Sequence, residues 1–290
     1  MIFLSPECFI CMLRQAELAA RAQNATEEKR IAIQAKVCDM LRELPSLDEI
    51  PAVVATRLQE ILRESLGTDN PFGPMKEQIL SRFDGMARRA RQLVEGASDP
   101  WSAAVRLSAF GNILDAGIVD QGTMDREVAS ISEDIREYRL PPRFRERLLL
   151  ADRVGVLMDN TGEAAFDLPF LSLLASSGKS TWIGVKGGPV YDDLTLEDAE
   201  RLRLAAYGEL VSNGNLGVGT ILDLCSEPFK ERLFSSDLIL SKGQANFETL
   251  VGQIPNAYYL LRCKCPVVSR AVGRPEGEYL FLDASGGPAE

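Results

Sequence analysis

Asp159 and Asn160 stand side by side at the end of an apolar run, Val154–Met158. Asp192 and Asp193 close a second polar segment that begins Lys186-Gly187-Gly188. Their oxygen atoms suit a hard divalent cation such as Mg²⁺ or Mn²⁺; the cofactor expected is one divalent ion, with Co²⁺ and Ni²⁺ as further candidates. Lys186 and Lys242 fall in two different loops and are cations of the kind that neutralise a phosphate. Gly187 and Gly188, and the glycines of 214–219, let backbone amides come close to an anion. A divalent ion, lysines and exposed amides around one crevice are what phosphoryl chemistry requires. The chain has no histidine, which excludes a Ser-His-Asp triad, a Cys-His dyad and His-ligated zinc.

These residues need elements to hold them. Residues 1–150 read as successive helices by their apolar spacing, with long ones over 70–96 and 99–117 and shorter ones near 122–137 and 141–151. Beyond residue 151, short apolar runs alternate with helical patterns. The runs are Val154–Met158, Thr181–Val185, Gly208–Val211, Leu238–Leu240, Tyr258–Leu261 and 279–283. Helices are expected around 162–176, 196–206, 218–233 and 244–251. Strands alternating with helices imply crossovers and a mostly parallel sheet. The expected architecture is α/β: an all-helical part, 1–95, followed by a doubly wound, Rossmann-like α/β part, 96–290, with a helical lead-in at 98–151. In such sheets ligands bind outside the carboxyl ends of the strands. That rule gathers DNTGE, KGGPVYDD, SNGNLGVGT, SKGQANFE and RCKC into one crevice.

Several of these segments together resemble one family, the metal-dependent damage-control phosphatases, known as domain of unknown function 89. DNTGE is similar to its DNxGE, KGGPVYDD to its KGGPxxND and SKGQANFETL to its SKGQGNYE. GNILDAG at 111–117 resembles its GNxIDxG, and PECFICMLRQA the PxCxxCxxRQ opening of its prokaryotic branch. The matches run from residue 6 to about 268. The resemblance implies hydrolysis of phosphorylated small metabolites, such as sugar phosphates or damaged phosphometabolites, with one divalent metal held by Asp159, Asn160 and Asp193. This chain has Asp192 where the family pattern has Asn.

Supporting roles follow for other positions. Asn160 and Glu163 have capping-box spacing, so Glu163 is either a cap or a group that orients water. Asn112 and Asp115, three apart on a helical face, are either a buried hydrogen-bonded pair or a support for the site. Lys242 and Lys186, with Gly187 and Gly188, are the candidate phosphate contacts. Cys8 and Cys11, with Cys263 and Cys265, make either a zinc site or inert thiols.

Composition narrows the rest. The net charge of −10 repels nucleic acid, and no apolar run is long enough to span a membrane. With no signal-peptide pattern and six cysteines in 290 residues, reduced thiols and a cytoplasmic setting are expected. The sequence gives no oligomeric state. Two rival readings remain: a transferase using a nucleoside cofactor, and a non-enzymatic zinc module. An aspartyl-phosphate mechanism on Asp159 lacks its second aspartate, because Thr161 stands two positions on.

Overall fold

A computed structural model describes residues 2–111, 132, 134–135 and 137–289. Asn112 and Asp115, and most of the helix expected over 122–137, lie outside the described residues. Six strands form one sheet: β1 Arg153–Leu157, β2 Ser180–Val185, β3 Glu209–Ser212, β4 Leu238–Lys242, β5 Ala257–Arg262 and β6 Tyr279–Leu282. Their order is β3-β2-β1-β4-β5-β6, parallel except for β6, which pairs antiparallel to β5 at the edge. The strand order reverses between β1 and β4, so the crevice at their carboxyl ends is the switch point of a doubly wound sheet.

The two-residue period of the strands divides the apolar side chains between two cores. Val154, Val156, Leu238, Leu240, Tyr258 and Leu260 face one side, where α5 Phe83–Glu95, α6 Pro100–Gly111, α7 Pro142–Leu150 and α8 Ala164–Ser176 cover them. Leu157, Ile239, Tyr259 and Leu261 face the other. That core also takes in α1 Pro6–Ala22, α2 Glu27–Arg42 and α3 Pro51–Leu66. It continues through α10 Glu227–Ser235, α11 Gln244–Leu250 and α12 Pro266–Val272. Each core therefore draws on residues from both sides of position 95. Two further helices, α4 Gly73–Leu80 and α9 Leu196–Arg201, flank the crevice loops. Among the described residues no helix is long and apolar enough to cross a membrane.

Three local expectations are corrected. The helix expected over 70–96 breaks into α4 and α5 at Ser81-Arg82, where the Ser81 hydroxyl donates to the Gln78 carbonyl at 2.7 Å. Such side-chain bonding competes with the helical ladder. The helix expected over 218–233 starts only at Glu227. Before it, Gly219 has φ +72°, and the amides of Val218 and Thr220 donate to the hydroxyls of Thr56 and Thr249, each at 2.9 Å. The capping box of Asn160 and Glu163 does not form. Glu163 is itself the N-cap of α8, and its carboxylate turns inward to Lys242 instead.

Candidate active site

The end of β1 runs straight into the site. Residues 159–161 pair antiparallel with 192–194: Leu194 donates its N–H to the Asp159 carbonyl and Thr161 to the Asp192 carbonyl, each at 2.8 Å. Asn160 thereby lies directly opposite Asp193. Asp159, Asn160, Asp192 and Asp193 are all less than a tenth exposed. Two loops from different strands are thus locked in register, which brings Asp159, Asn160 and Asp193 together as expected.

Gly243, one residue past β4, completes this wall. Its φ is +84°, and a Cβ there would overlap the Asp159 carboxyl group. Only glycine meets both the backbone angle and the space. The following turn is held by Asn246, whose Nδ2 donates to the carbonyls of Met158 at 3.1 Å and Lys242 at 2.8 Å. Its Oδ1 accepts from the Thr220 hydroxyl at 2.8 Å. One side chain thereby ties the ends of β1 and β4 to the glycine-rich loop.

Lys242 is fully buried. Its Nζ donates to Glu163 Oε2 at 3.0 Å and Asp167 Oδ1 at 2.9 Å, and Asp167 also accepts from the Ser108 hydroxyl. Burial works against the charge on Lys242, but Asp167 and Glu163 outweigh it and raise its pKa. One ammonium facing two carboxylates leaves an excess negative charge away from water. Burial accordingly pushes the Glu163 carboxyl up to about 8; Lys242 opposes the rise and the charge of Asp159 adds to it.

Lys186 is also buried. Its Nζ donates to the carbonyls of Gly217, at 3.0 Å, and Gly219, and lies 3.4 Å from Asp193 Oδ2. It anchors the glycine-rich loop beside the Asp193 carboxylate. The Gly187 amide also bonds within the protein, to Asn213 Oδ1 at 2.9 Å and the Asn215 carbonyl at 3.2 Å. A Cβ on Gly187 would stand 2.5 Å from the Asn215 nitrogen, while one on Gly188 would meet the Leu216 side chain. These two glycines let the loops after β2 and β3 touch.

Sequence reasoning missed Lys76, Asp198 and Asp167. Lys76, in α4, is 4% exposed and reaches the Asp193 carbonyl at 2.6 Å and Asp198 Oδ2 at 2.5 Å. The signal for it was a lysine three and four residues before the buried pair Ile79 and Leu80, on an apolar helix face. Asp167 was a lone acid in the apolar run AAFDLPFL.

Thiols gather elsewhere. Cys8, Cys11 and Cys265 lie close enough to sense each other's charge, with burial raising the pKa of Cys8 and, to about 11, of Cys11. Gln244 Nε2 lies 3.4 Å from the Cys265 sulfur. Cys263 is buried, and its thiol points toward the Cys265 carbonyl. Among the described residues no three Cys, Asp or Glu side chains are arranged to hold a metal ion.

Two carboxylates, a carboxamide and buried lysines at the switch point of a doubly wound sheet define a class: an α/β protein with an acidic, charge-compensated crevice. Known proteins narrow this class. The family model for the damage-control phosphatase ARMT1-like domain matches residues 4–280. A damage-control phosphatase of Archaeoglobus fulgidus is 30% identical over 95% of this chain and 97% of its own. One from Pyrococcus horikoshii is 29% identical over 95% of this chain and 96% of its own. The crystal structure of a DUF89 family protein from Pyrococcus horikoshii superposes with a TM-score of 0.85 at 27% identity, covering 98% of this chain and 100% of that one. The chain belongs to the damage-control phosphatase ARMT1-like family, and a phosphatase role follows from that membership.

Proposed function

We propose that the protein is a divalent-metal-dependent phosphomonoesterase acting on phosphorylated small metabolites, sugar phosphates or damaged phosphometabolites among them. The observation that carries this reading is the pairing of Asn160 with Asp193, which sets the Asp159-Asn160 strand end against the Asp192-Asp193 turn. The donor set fits a hard cation: two carboxylates and a carboxamide, all oxygen donors and all nearly buried. Magnesium-type ions are usually held by one or two carboxylates, with water and substrate phosphate completing the shell. A third acidic ligand is therefore not required. When bound, such an ion supplies a Lewis acid for the phosphoryl oxygen and lowers the pKa of water.

The chain's own residues do the rest. Asp159, Asn160 and Asp193 hold the ion, and Gly243 leaves room for the Asp159 carboxyl. Lys186 holds the glycine-rich loop beside the Asp193 carboxylate, and Lys242 holds Glu163 and Asp167, in a low-dielectric site where charges act more strongly than in water. Glu163, raised toward neutral pH by its burial, holds a proton close to Asp159. A small phosphorylated substrate, a reduced intracellular setting and no nucleic-acid partner complete the reading.

The test is hydrolysis of p-nitrophenyl phosphate and of a sugar-phosphate panel with Mn²⁺, Mg²⁺, Co²⁺ or Ni²⁺. Turnover that needs one of these ions, and is lost in Asp159→Ala, supports the reading. No hydrolysis of any ester with any of the ions overturns it.

A further inference from the structure

We propose that Lys76 is a positioning residue for the metal-binding turn, so that the helices of the first hundred residues belong to the catalytic centre. This rests on the assignment of Asp193 as a metal ligand. Lys76 projects from α4 and is almost wholly buried. Its ammonium donates to the backbone carbonyl of Asp193 at 2.6 Å and pairs with Asp198 Oδ2 at 2.5 Å. Asp198 is itself fixed: it accepts from the Thr195 N–H at 3.1 Å and from the Thr195 hydroxyl, in the capping box that begins α9. The cation therefore joins three things: α4, the start of α9, and the peptide that carries the Asp193 side chain.

Burying an ammonium is costly unless its protons find partners, and here they find a carboxylate and a carbonyl. The carbonyl adds a geometric constraint. It belongs to the residue paired with Asn160, so its position sets how the Asp193 carboxylate faces the Asp159-Asn160 strand end. Neighbouring contacts from the helical part act on the same turn. Phe72 packs edge-on against Tyr191 with ring centroids 5.1 Å apart, and Tyr191 is held at φ +46°, a left-handed angle unfavourable for a tyrosine. Gln59 Oε1 accepts from the Tyr191 N–H at 3.5 Å. A strained residue two positions before Asp193 needs such outside support. Lys76 is the charged member of that support and touches the Asp193 backbone directly.

The experiment compares Lys76→Met with wild type in three measurements. The first is Mn²⁺ affinity by electron paramagnetic resonance of the free ion. The second is amide hydrogen exchange over residues 190–195 in metal-free protein, and the third is kcat and KM on p-nitrophenyl phosphate. Loss of a group that orients a ligand weakens metal binding by about 10–100-fold. The expected result is a Kd for Mn²⁺ raised within that range, with faster exchange at the Leu194 amide. Because Lys76→Met leaves Asp198 buried without its partner, Lys76→Met/Asp198→Asn is measured beside it. The double variant removes both charges and keeps the same loss at the Asp193 carbonyl, so it is expected to show the same weakened affinity.

A folded variant with wild-type Mn²⁺ affinity and wild-type exchange at Leu194 overturns the inference. Asp193→Ala separates this failure from failure of the metal reading. If Asp193→Ala abolishes Mn²⁺ binding while Lys76→Met leaves it unchanged, only the role of Lys76 falls. Should wild type prefer Mg²⁺, Co²⁺ or Ni²⁺, calorimetry with that ion replaces the Mn²⁺ titration; if wild type binds none of the four, the metal reading falls and takes this inference with it.

Discussion

Gly243 shows how little freedom the site allows at single positions. Its missing side chain is the space in which the Asp159 carboxyl sits, and its φ of +84° excludes most other residues. Gly243→Ala is expected to displace Asp159 and reduce kcat/KM by roughly 100-fold, the scale of a misplacement of about 1 Å. The same change forces an unfavourable backbone angle, at about 1–3 kcal/mol. Steady-state kinetics and urea unfolding on one preparation read both effects. At this scale Asp159, Asn160, Asp192 and Asp193 were legible as oxygen-bearing side chains after strands, and the family resemblance singled out Asp159, Asn160 and Asp193 among them. The setting of the lysines was not. Lys186 and Lys242 read as cations offered to a ligand, yet both are buried against the protein's own carbonyls and carboxylates. A pattern of residue types carries no record of which partner a flexible side chain reaches. Lys76 lies 117 positions from the carbonyl that it binds, and no local spacing encodes that.

Elements follow the same logic. All six strands were legible because period-two alternation in a doubly covered sheet leaves an apolar run bounded by glycines and polar residues. Helix ends and loops were less so. Residues 218–226 carry apolar side chains at helical spacing, but neighbouring elements occupy their amides, and a left-handed glycine interrupts them. The short α12 escaped notice, although Pro266 in its first turn and the left-handed Gly273 at its end mark it. One pairing of elements gives a pH prediction. Glu248, on α11, accepts from Gln244 at 2.9 Å and from the Ala52 amide in the first turn of α3. The thiols of Cys8 and Cys11 face it from α1. Burial outweighs the two hydrogen bonds and pushes its carboxyl up to about 7, from 4.5. The folded protein then binds this proton more tightly than the unfolded chain. The associated stability is complete below pH 4.5 and is lost as pH rises through 7. Glu248→Gln should remove that slope. Relative to wild type, its unfolding free energy is expected to rise between pH 5 and pH 8, as read by urea titration at each pH.

On the scale of the whole molecule, the helices of the first half are structural partners of the sheet. α1, α2 and α3 share one continuous apolar core with Leu157, Ile239, Tyr259 and Leu261, while α5 lies in the other. A chain beginning at residue 97 is expected to expose that face, bind a hydrophobic dye and lose its near-ultraviolet circular dichroism. Retention of native near-ultraviolet signal by that chain would refute shared packing. The helices were visible in the sequence; their sharing of a core with the sheet was not, because amphipathic spacing reveals an apolar face without naming what covers it.

The burial of Lys76, Lys186 and Lys242 has a chemical consequence. Aldehydes and acyl phosphates react with amines that are unprotonated and reachable from solvent. Lys242 is fully shielded, Lys76 and Lys186 are each 4% exposed, and every one of these ammonium groups already donates to oxygen. Electrophiles of either kind reaching the crevice therefore meet no open amine from these three residues with which to form an imine or amide. Such an arrangement protects these amines against adducts that would inactivate the site.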